Sequence, residues 1–579
     1  MPNRGISAPS HKFRRGETRF QPVSDSSHIN LTENLFGEFP PVPTEEWEAA
    51  IRKALNGGDY REELAWNSRE GFAILPFYRE PEVSSGESPP ETGLRLQQDA
   101  VEAGCKIVEQ IDGPTSLIAA SQIETAIQRG SDYLQITSRL YPNDSSEPGR
   151  SSSPGLAGLD IQTLERFESM IRETDPKQTG FLFDSGVYTP ALAAMQSASD
   201  RAGGADKQTL RNTFFTYDPY TFAAETGSLP MPEEPLEKLI LQLANLPQKT
   251  LAGDGLFYHN CGATLSEELG IVLATGSEYL AAGRKAGANL NKLSRAIWIR
   301  LSAGPLYFPE IARFRAARIL WRKLLDAYGV EPEEADTIHI HAVTSPWHQT
   351  TIDPYNNLIR TTTEAMAAII GGADSLTVLP FDSHCATDSD RSRRLARNLH
   401  HIVREEAFLE QVADPAAGCW YIEELTDQIA ENSWNFFREI ESEGGLLQSL
   451  RNGTIQERVR KSAEHKINAV LTGTRMVTGV TYYSDPEEEF PSPSAPKRPY
   501  APLRQSGRLF ETDPDHLIQS LGNAYQEGAS TGDLTMFLLD PPRKKFTTMT
   551  PSRLTAELEE RWAESGKSFK PNPTGRRDG

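Results

Sequence analysis

From about residue 100 the sequence falls into a strict rhythm. Short β-rich runs, each ending in Gly, Pro, Asp or Ser, are followed by stretches with helical periodicity. The runs lie at 105–111, 133–137, 180–184, 212–217, 255–259, 296–301, 337–343 and 375–381. The helical patterns include 123–129, 164–172, 236–246, 267–282, 311–328, 358–370 and 391–406. Strand–helix alternation repeated about eight times is the pattern of an α/β chain closed into a (β/α)8 barrel. A doubly wound open sheet seldom reaches that number of units, and no G-x-G-x-x-G follows the first run.

The regions on either side read differently. Residues 1–34 are polar and aperiodic, an arm without its own core. A helix is expected next, with Thr44 as its cap, Trp47, Ile51 and Leu55 on one stripe, and Gly57-Gly58 as its stop. Residues 81–95, rich in Pro, Ser, Gly and Glu, read as a linker. The expected organisation is therefore an N-terminal arm and linker at 1–95 and the barrel at 96–443. A helix and Pro-rich linker at 444–502 and a short helical tail at 503–579 complete it. The tail's candidate elements are 516–526, 534–539 and 552–562, too little for a full doubly wound domain.

Charge and composition exclude several functions. A formal net charge of −21 argues against binding a phosphate backbone. No apolar run approaches the roughly 20 residues that span a bilayer, so no membrane role is expected. The four cysteines, Cys105, Cys261, Cys385 and Cys419, are far apart and suit a reducing cytoplasm.

Chemistry in such a barrel sits at the C-terminal ends of the strands. That rule selects Asp112, Asp184, Asp218, Tyr258, His259, Ser302, Ser345, Trp347, His348, Asp382 and His384. His339 and His341, two apart on one strand, could join His259 in a metal site, which would make a barrel hydrolase. Buried polar residues paired with neighbouring strands are the plainer reading. Asp382-Ser383-His384 resembles half of a cobalamin-ligand motif, but position 387 is Thr where the motif needs Gly. The stretch from Thr344 through Trp347 to Asp353-Pro354-Tyr355-Asn356-Asn357 would build a wall over the barrel mouth, with Asp353 and Asn356 as turn and cap residues.

Several longer strings carry a family resemblance. They are IARFRAARILW at 311–321, TSPWHQTTIDPYNNLIRTTTEAMAAIIGG at 344–372, SRRLARN at 392–398, DPAAGCWYIEELT at 414–426 and EGGLLQSLRNG at 443–453. With them the chain, from about Leu35 to Glu489, resembles the methylmalonyl-CoA mutases, adenosylcobalamin-dependent isomerases. Their version of the second string reads TSGWSLTAQDPYNNVVRTTIEAMAA. ENLFGEFPPVPTEEWEAAIRKAL at 33–55 and LAWNSREGFAILPFY at 64–78 are similar to the small, non-catalytic subunit of the two-chain enzymes.

The resemblance implies a barrel threaded by the CoA tail, followed by a flavodoxin-like cobalamin domain for which no D-x-H-x-x-G stands in a suitable place here. It also marks departures. The family's catalytic GYH-x-x-E-A-G-A element meets Phe257 at its His, with His259 two residues late. Its HSQTSGW element meets His341-Ala342-Val343-Thr344-Ser345-Pro346-Trp347, so Val343 replaces the Gln. A TIRQY element near 72–95 and the carboxylate-binding Arg element near 210–226 are not found. Phe257, His259, His341, Val343 and Trp347 are thus read as a degenerate site with no catalytic residue.

On this reading the chain is the small subunit of a heterodimeric mutase interconverting methylmalonyl-CoA and succinyl-CoA. Adenosylcobalamin is bound by the partner, a homologous catalytic large subunit. Apolar anchors Leu35, Phe36, Phe39, Trp47, Trp66, Phe72 and Phe77 would lie on that partner, and Phe257, Tyr258, Val343 and Trp347 would fill the barrel mouth. The alternative is a catalytic substrate-binding subunit whose cobalamin domain is a separate chain.

Overall fold

The computed structural model describes residues 42–68, 72–79, 104–111, 116–139, 155–157, 179–201, 212–331, 338–385, 390–484, 500–502 and 518–519. The arm at 1–34 with Leu35, Phe36 and Phe39, the linker at 81–95, the helix at 164–172, most of the linker near 491–502 and all of the tail but 518–519 lie outside the described residues. So does Asp112. Two compact units divide the chain, 1–65 and 66–579. In the first, a helix spans Thr44–Ala54 with Pro43 at its cap position and no side-chain cap, so Thr44 opens the helix rather than capping it. Trp47, Ile51 and Leu55 are half-buried, as their spacing requires. Asp59 then caps the turn Tyr60–Glu63, and Tyr60 Oη donates to Glu48 at 2.9 Å.

The second unit is a closed parallel barrel. Its strands are β1 (Lys106–Ile111), β2 (Tyr133–Arg139), β3 (Gly180–Asp184), β4 (Thr213–Tyr217), β5 (Lys249–Asp254), β6 (Ile297–Ala303), β7 (Ile340–Thr344) and β8 (Ser375–Thr377). Each pairs in parallel with the next, and β8 pairs with β1 through only Ser375↔Lys106 and Leu376↔Ile107. Strands buried on both faces need no polar alternation, and β4 and β6 are buried at every position.

Around the barrel run α1 (Ser116–Gln128), α2 (Thr189–Arg201), α3 (Glu233–Ala244), α4 (Gly255–Asn260), α5 (Leu265–Lys285), α6 (Tyr307–Tyr328), α7 (Asn356–Ile370) and α8 (Asp390–His401). Beyond them α9 (Trp420–Ser442), α10 (Leu446–Asn452) and α11 (Thr454–Leu471) form an outer layer, with α9 across α5 and α6. That cover explains why α5 is buried along most of its length. Its start is fixed by a capping box: Thr264 Oγ1 accepts from Glu267 N, and Glu267 Oε2 from Thr264 N.

The fifth unit corrects the reading of the sequence. Residues 255–259 are not a strand but the helix α4, and the strand is Lys249–Asp254. Leu-Phe-Tyr-His has β-forming composition, but the strand before it, Lys249–Asp254, already fills the fifth place in the barrel. No described helix is long and apolar enough to cross a membrane.

Gly262, after α4, has φ +101° and lies against Ala463 of α11, where a Cβ would overlap the Ala463 methyl. Gly262→Ala combines left-handed strain with a backbone clash, so a loss of about 2–4 kcal/mol is expected in a urea melt.

Candidate functional site

Two groups of side chains occupy the barrel. The first fills its axis. Val108, Leu182, Phe214, Ala252 and Trp298, with Tyr133 against them, form a cluster separate from the main core. They come from six consecutive strands, so they meet inside the barrel. Toward the N-terminal end, Tyr133 and Trp298 each meet Phe214 edge-on at 5.6 Å, and His339 lies 4.4 Å from Phe214 between ring centres. Gly180, opposite Tyr133, leaves the room its ring occupies. Above this layer His341 Nδ1 meets Ser375 Oγ at 2.9 Å, and Thr377 donates to Gln135 at 3.1 Å.

The C-terminal layer is ionic. Arg300 bridges Asp184, at 3.1 Å, and Asp254. Thr216 donates to Asp184 at 3.1 Å. Burial alone would favour loss of the Arg300 proton, but the two carboxylates more than reverse that and raise its pKa.

The second group lies at the rim, where α4, α5, α6 and the loop after β7 converge. Ser345 Oγ sits between His259 Nε2 at 2.6 Å and His348 Nδ1 at 2.9 Å. One hydroxyl supplies one proton, so at most one of the two rings accepts from it and at least one donates to it. His259 Nδ1 faces Glu268 Oε2 at 3.5 Å. Glu268, fully buried, also accepts from Ser302 N and Oγ, both at 2.8 Å, and pairs with Arg313 at 2.6 Å. Arg313 pairs in turn with Glu310 at 2.6 Å. Burial pushes the Glu268 carboxyl up, but Arg313 and His259 outweigh it and hold it at about 2. Burial pushes His259 and His348 below the usual imidazole range, so both are neutral at pH 7. Glu364, which accepts from Ser345 N at 3.1 Å, is pushed well above the carboxylate range by burial. The single Ser345 N–H donates both to Ala303 O and to Glu364, so it offers no hydrogen bond to an incoming oxyanion.

The residues selected from the sequence therefore scatter. His259, Ser302, Ser345 and His348 come together at the rim, and Asp184 and His341 lie inside the barrel. Asp218 caps the helix Pro219–Thr226, and burial lifts its pKa to about 6. His339 donates to or accepts from Ser375 at 2.8 Å, and burial lowers its pKa to about 4. Among the described residues no group of three or more His, Cys, Asp or Glu side chains is placed to hold a metal ion. Asp353 and Asn356 form the turn that leads into α7, where Asn356 N donates to Asp353 O at 3.2 Å, and Asn357 staples the loop by donating to Thr350 O at 2.8 Å and Phe381 O at 2.9 Å.

The expected plug is also corrected. Tyr258 belongs to the main core between barrel and helices, with half-buried Phe257 against it. Trp347 is buried in the turn Pro346–His348, and only Val343 stands on a barrel strand, in register with Ser302 and Thr377. The filling comes from Tyr133, Phe214, Trp298 and Arg300, which the sequence reading passed over.

Asp382-Ser383-His384 does not fit a cobalt-ligand loop. Asp382 O accepts from Cys385 N at 2.8 Å in a tight turn, Ser383 bonds Gln349, and both Asp382 and Cys385 are buried.

Comparison with known proteins agrees with this architecture. A family profile described as methylmalonyl-CoA mutase matches residues 119–506. The Porphyromonas gingivalis methylmalonyl-CoA mutase small subunit is 30% identical over 476 residues, covering 78% of this chain and 71% of that one. The Streptomyces virginiae small subunit is 29% identical, covering 80% and 74%. The large subunit of the same organism is 27% identical, covering 77% and 63%. A parallel eight-stranded barrel, the long shared strings and these matches together place the chain in the methylmalonyl-CoA mutase family.

Proposed function

We propose that this chain is the small, non-catalytic subunit of a two-chain adenosylcobalamin-dependent methylmalonyl-CoA mutase. Its partner is a homologous large chain, which binds the cobalamin and carries out the isomerisation. One observation carries the reading: the barrel axis is occupied by the chain's own side chains. The family resemblance implies a CoA tail threaded along that axis. Here Tyr133, Phe214 and Trp298 take its lower half and the Arg300 ion pairs its upper end. Close-packed interiors do not admit a second chain of atoms without displacing the first.

Two further features support it. Phe257 and Val343 stand where the catalytic elements carry His and Gln, and neither side chain can exchange a proton. The rim residues that could, His259 and Ser345, are buried, and Ser345 Oγ is engaged by His259 Nε2 and His348 Nδ1. Relatives named small subunit and large subunit from one organism both resemble this chain. When bound to the complex, adenosylcobalamin supplies the radical; on this reading the present chain shapes and stabilises its partner.

The isolated chain is expected to retain no cobalamin absorbance through gel filtration and to show no turnover of methylmalonyl-CoA. Adding the large subunit should yield a 1:1 complex whose activity survives Arg300→Met in any preparation that still assembles. Cobalamin retained by the isolated chain, or turnover abolished by a barrel-axis substitution in an intact complex, would favour the catalytic alternative.

A further inference from the structure

We propose that the chain clasps its own barrel through two linked contacts: Ile518, seated on α3, keeps the strand Tyr500–Pro502 paired to the loop strand Gly155–Ala157 at the barrel mouth. This clasp does not depend on the two-chain reading and is tested apart from it.

The first contact is a small sheet on the rim. Gly155–Ala157 folds back antiparallel on the end of β2, with Leu156 opposite Ser138 and Gly155 opposite Arg139. Tyr500–Pro502 adds to its other edge, again antiparallel, with Tyr500 opposite Ala157 and Pro502 opposite Gly155. These strands stand at the C-terminal end of β2, on the side where a (β/α)8 barrel meets its ligands. The second contact lies sixteen residues further on. Ile518 is 7% exposed and belongs to the main core, with Leu236, Leu239, Ile240 and Leu243 of α3. Its N–H donates to Gln242 Oε1 at 3.0 Å.

The two contacts differ in strength. Tyr500–Pro502 offers three residue pairs, and Pro502 has no N–H to donate. Pairings this short are marginal in water unless something else holds the strands together. Ile518 supplies that hold, because a buried isoleucine contributes more than one exposed hydrogen bond. Once it is seated, a link of sixteen residues keeps the strand near its partner at a millimolar effective concentration. The strand is tethered from the other side as well. The described chain reaches Ser484 and is tied to α7 where Arg360 donates to Thr478 O at 2.6 Å.

The consequence is coupling between distant places. α3 stands between β4 and β5, whereas the small sheet stands on β2. Unseating Ile518 frees the strand, and with it Gly155–Ala157 on the rim. The C-terminal part of the chain thus sets the order of a mouth loop without touching the barrel axis.

Hydrogen exchange on the full-length chain, read by mass spectrometry, tests this. Exchange at Gly155–Ala157 should be slow in the wild type. Ile518→Asp puts a charge in the core seat and should speed it about tenfold or more, with β6 unchanged. Ile518→Leu should keep the wild-type rate, and the milder Ile518→Ala should lie between. An unchanged rate at Gly155–Ala157 in Ile518→Asp means the two contacts hold independently and overturns the clasp. Fast exchange there in the wild type overturns it too. A rise of equal size in β6 reads a general loss of stability and overturns the coupling.

Discussion

Replacing Arg300 by methionine should cost the fold about 3–5 kcal/mol, a large part of a typical domain's stability. The guanidinium is 6% exposed, and its two carboxylates lie at the ends of β3 and β5, inside the barrel. Methionine matches much of the volume, so little is lost in packing. What remains is the buried Asp254 carboxylate and the half-buried Asp184 carboxylate without their cation. They must share a proton or draw in water, and either course costs more than the pair contributed. The control separates charge from shape. Adding Asp184→Asn and Asp254→Asn to Arg300→Met removes the stranded charges and should return more than half of the loss in a guanidinium melt. A single variant that unfolds at the wild-type midpoint would show that solvent reaches this layer, and the closed axis would be refuted.

The second large effect is acid sensitivity at the rim. Glu268 is held at about 2, against about 4.5 for a free glutamate. Its pKa in the folded state is depressed, so its contribution is complete above pH 4.5 and is lost as pH falls from 4.5 toward 2. A shift of that size corresponds to about 3 kcal/mol. Glu268→Gln should remove this component: the variant starts less stable at pH 7, and its unfolding midpoint falls less steeply between pH 4.5 and 3. Glu364 acts in the opposite sense. Its raised pKa gives stability that is present below pH 4.5 and lost as pH rises through the folded-state value. Parallel pH profiles for wild type and Glu268→Gln would remove Glu268 from the account of acid unfolding.

The barrel was legible from the sequence because its rhythm lives in composition: apolar strand runs, periodic helices and Gly or Asp punctuation repeat at every unit. Most strands fall within a few residues of where those signals put them. The fifth failed because Gly253-Asp254 ends a strand with residues that elsewhere begin a turn. The axis was harder. A single arginine within Ile-Trp-Ile-Arg-Leu-Ser-Ala reads as a solvent-facing interruption, whereas all seven residues are buried. The usable signal was that this run lacks the alternation a half-exposed strand would show. Asp254 gave no separate sign, since the strand that carries it was misplaced. The rim cluster draws on residues from 259 to 364, and no local pattern records such distances.

Barrels are only as cooperative as their last joint. The pairing of β8 with β1 spans two residue pairs, while β6 and β7 share five. It also joins positions about 270 residues apart, the longest separation of any joint in the ring, and offsets that loop entropy with only two residue pairs. The ring therefore closes last at this joint during folding and opens there first under stress. An opened joint bares two strand edges, and the template they offer to other chains is the barrel's point of exposure to misassembly.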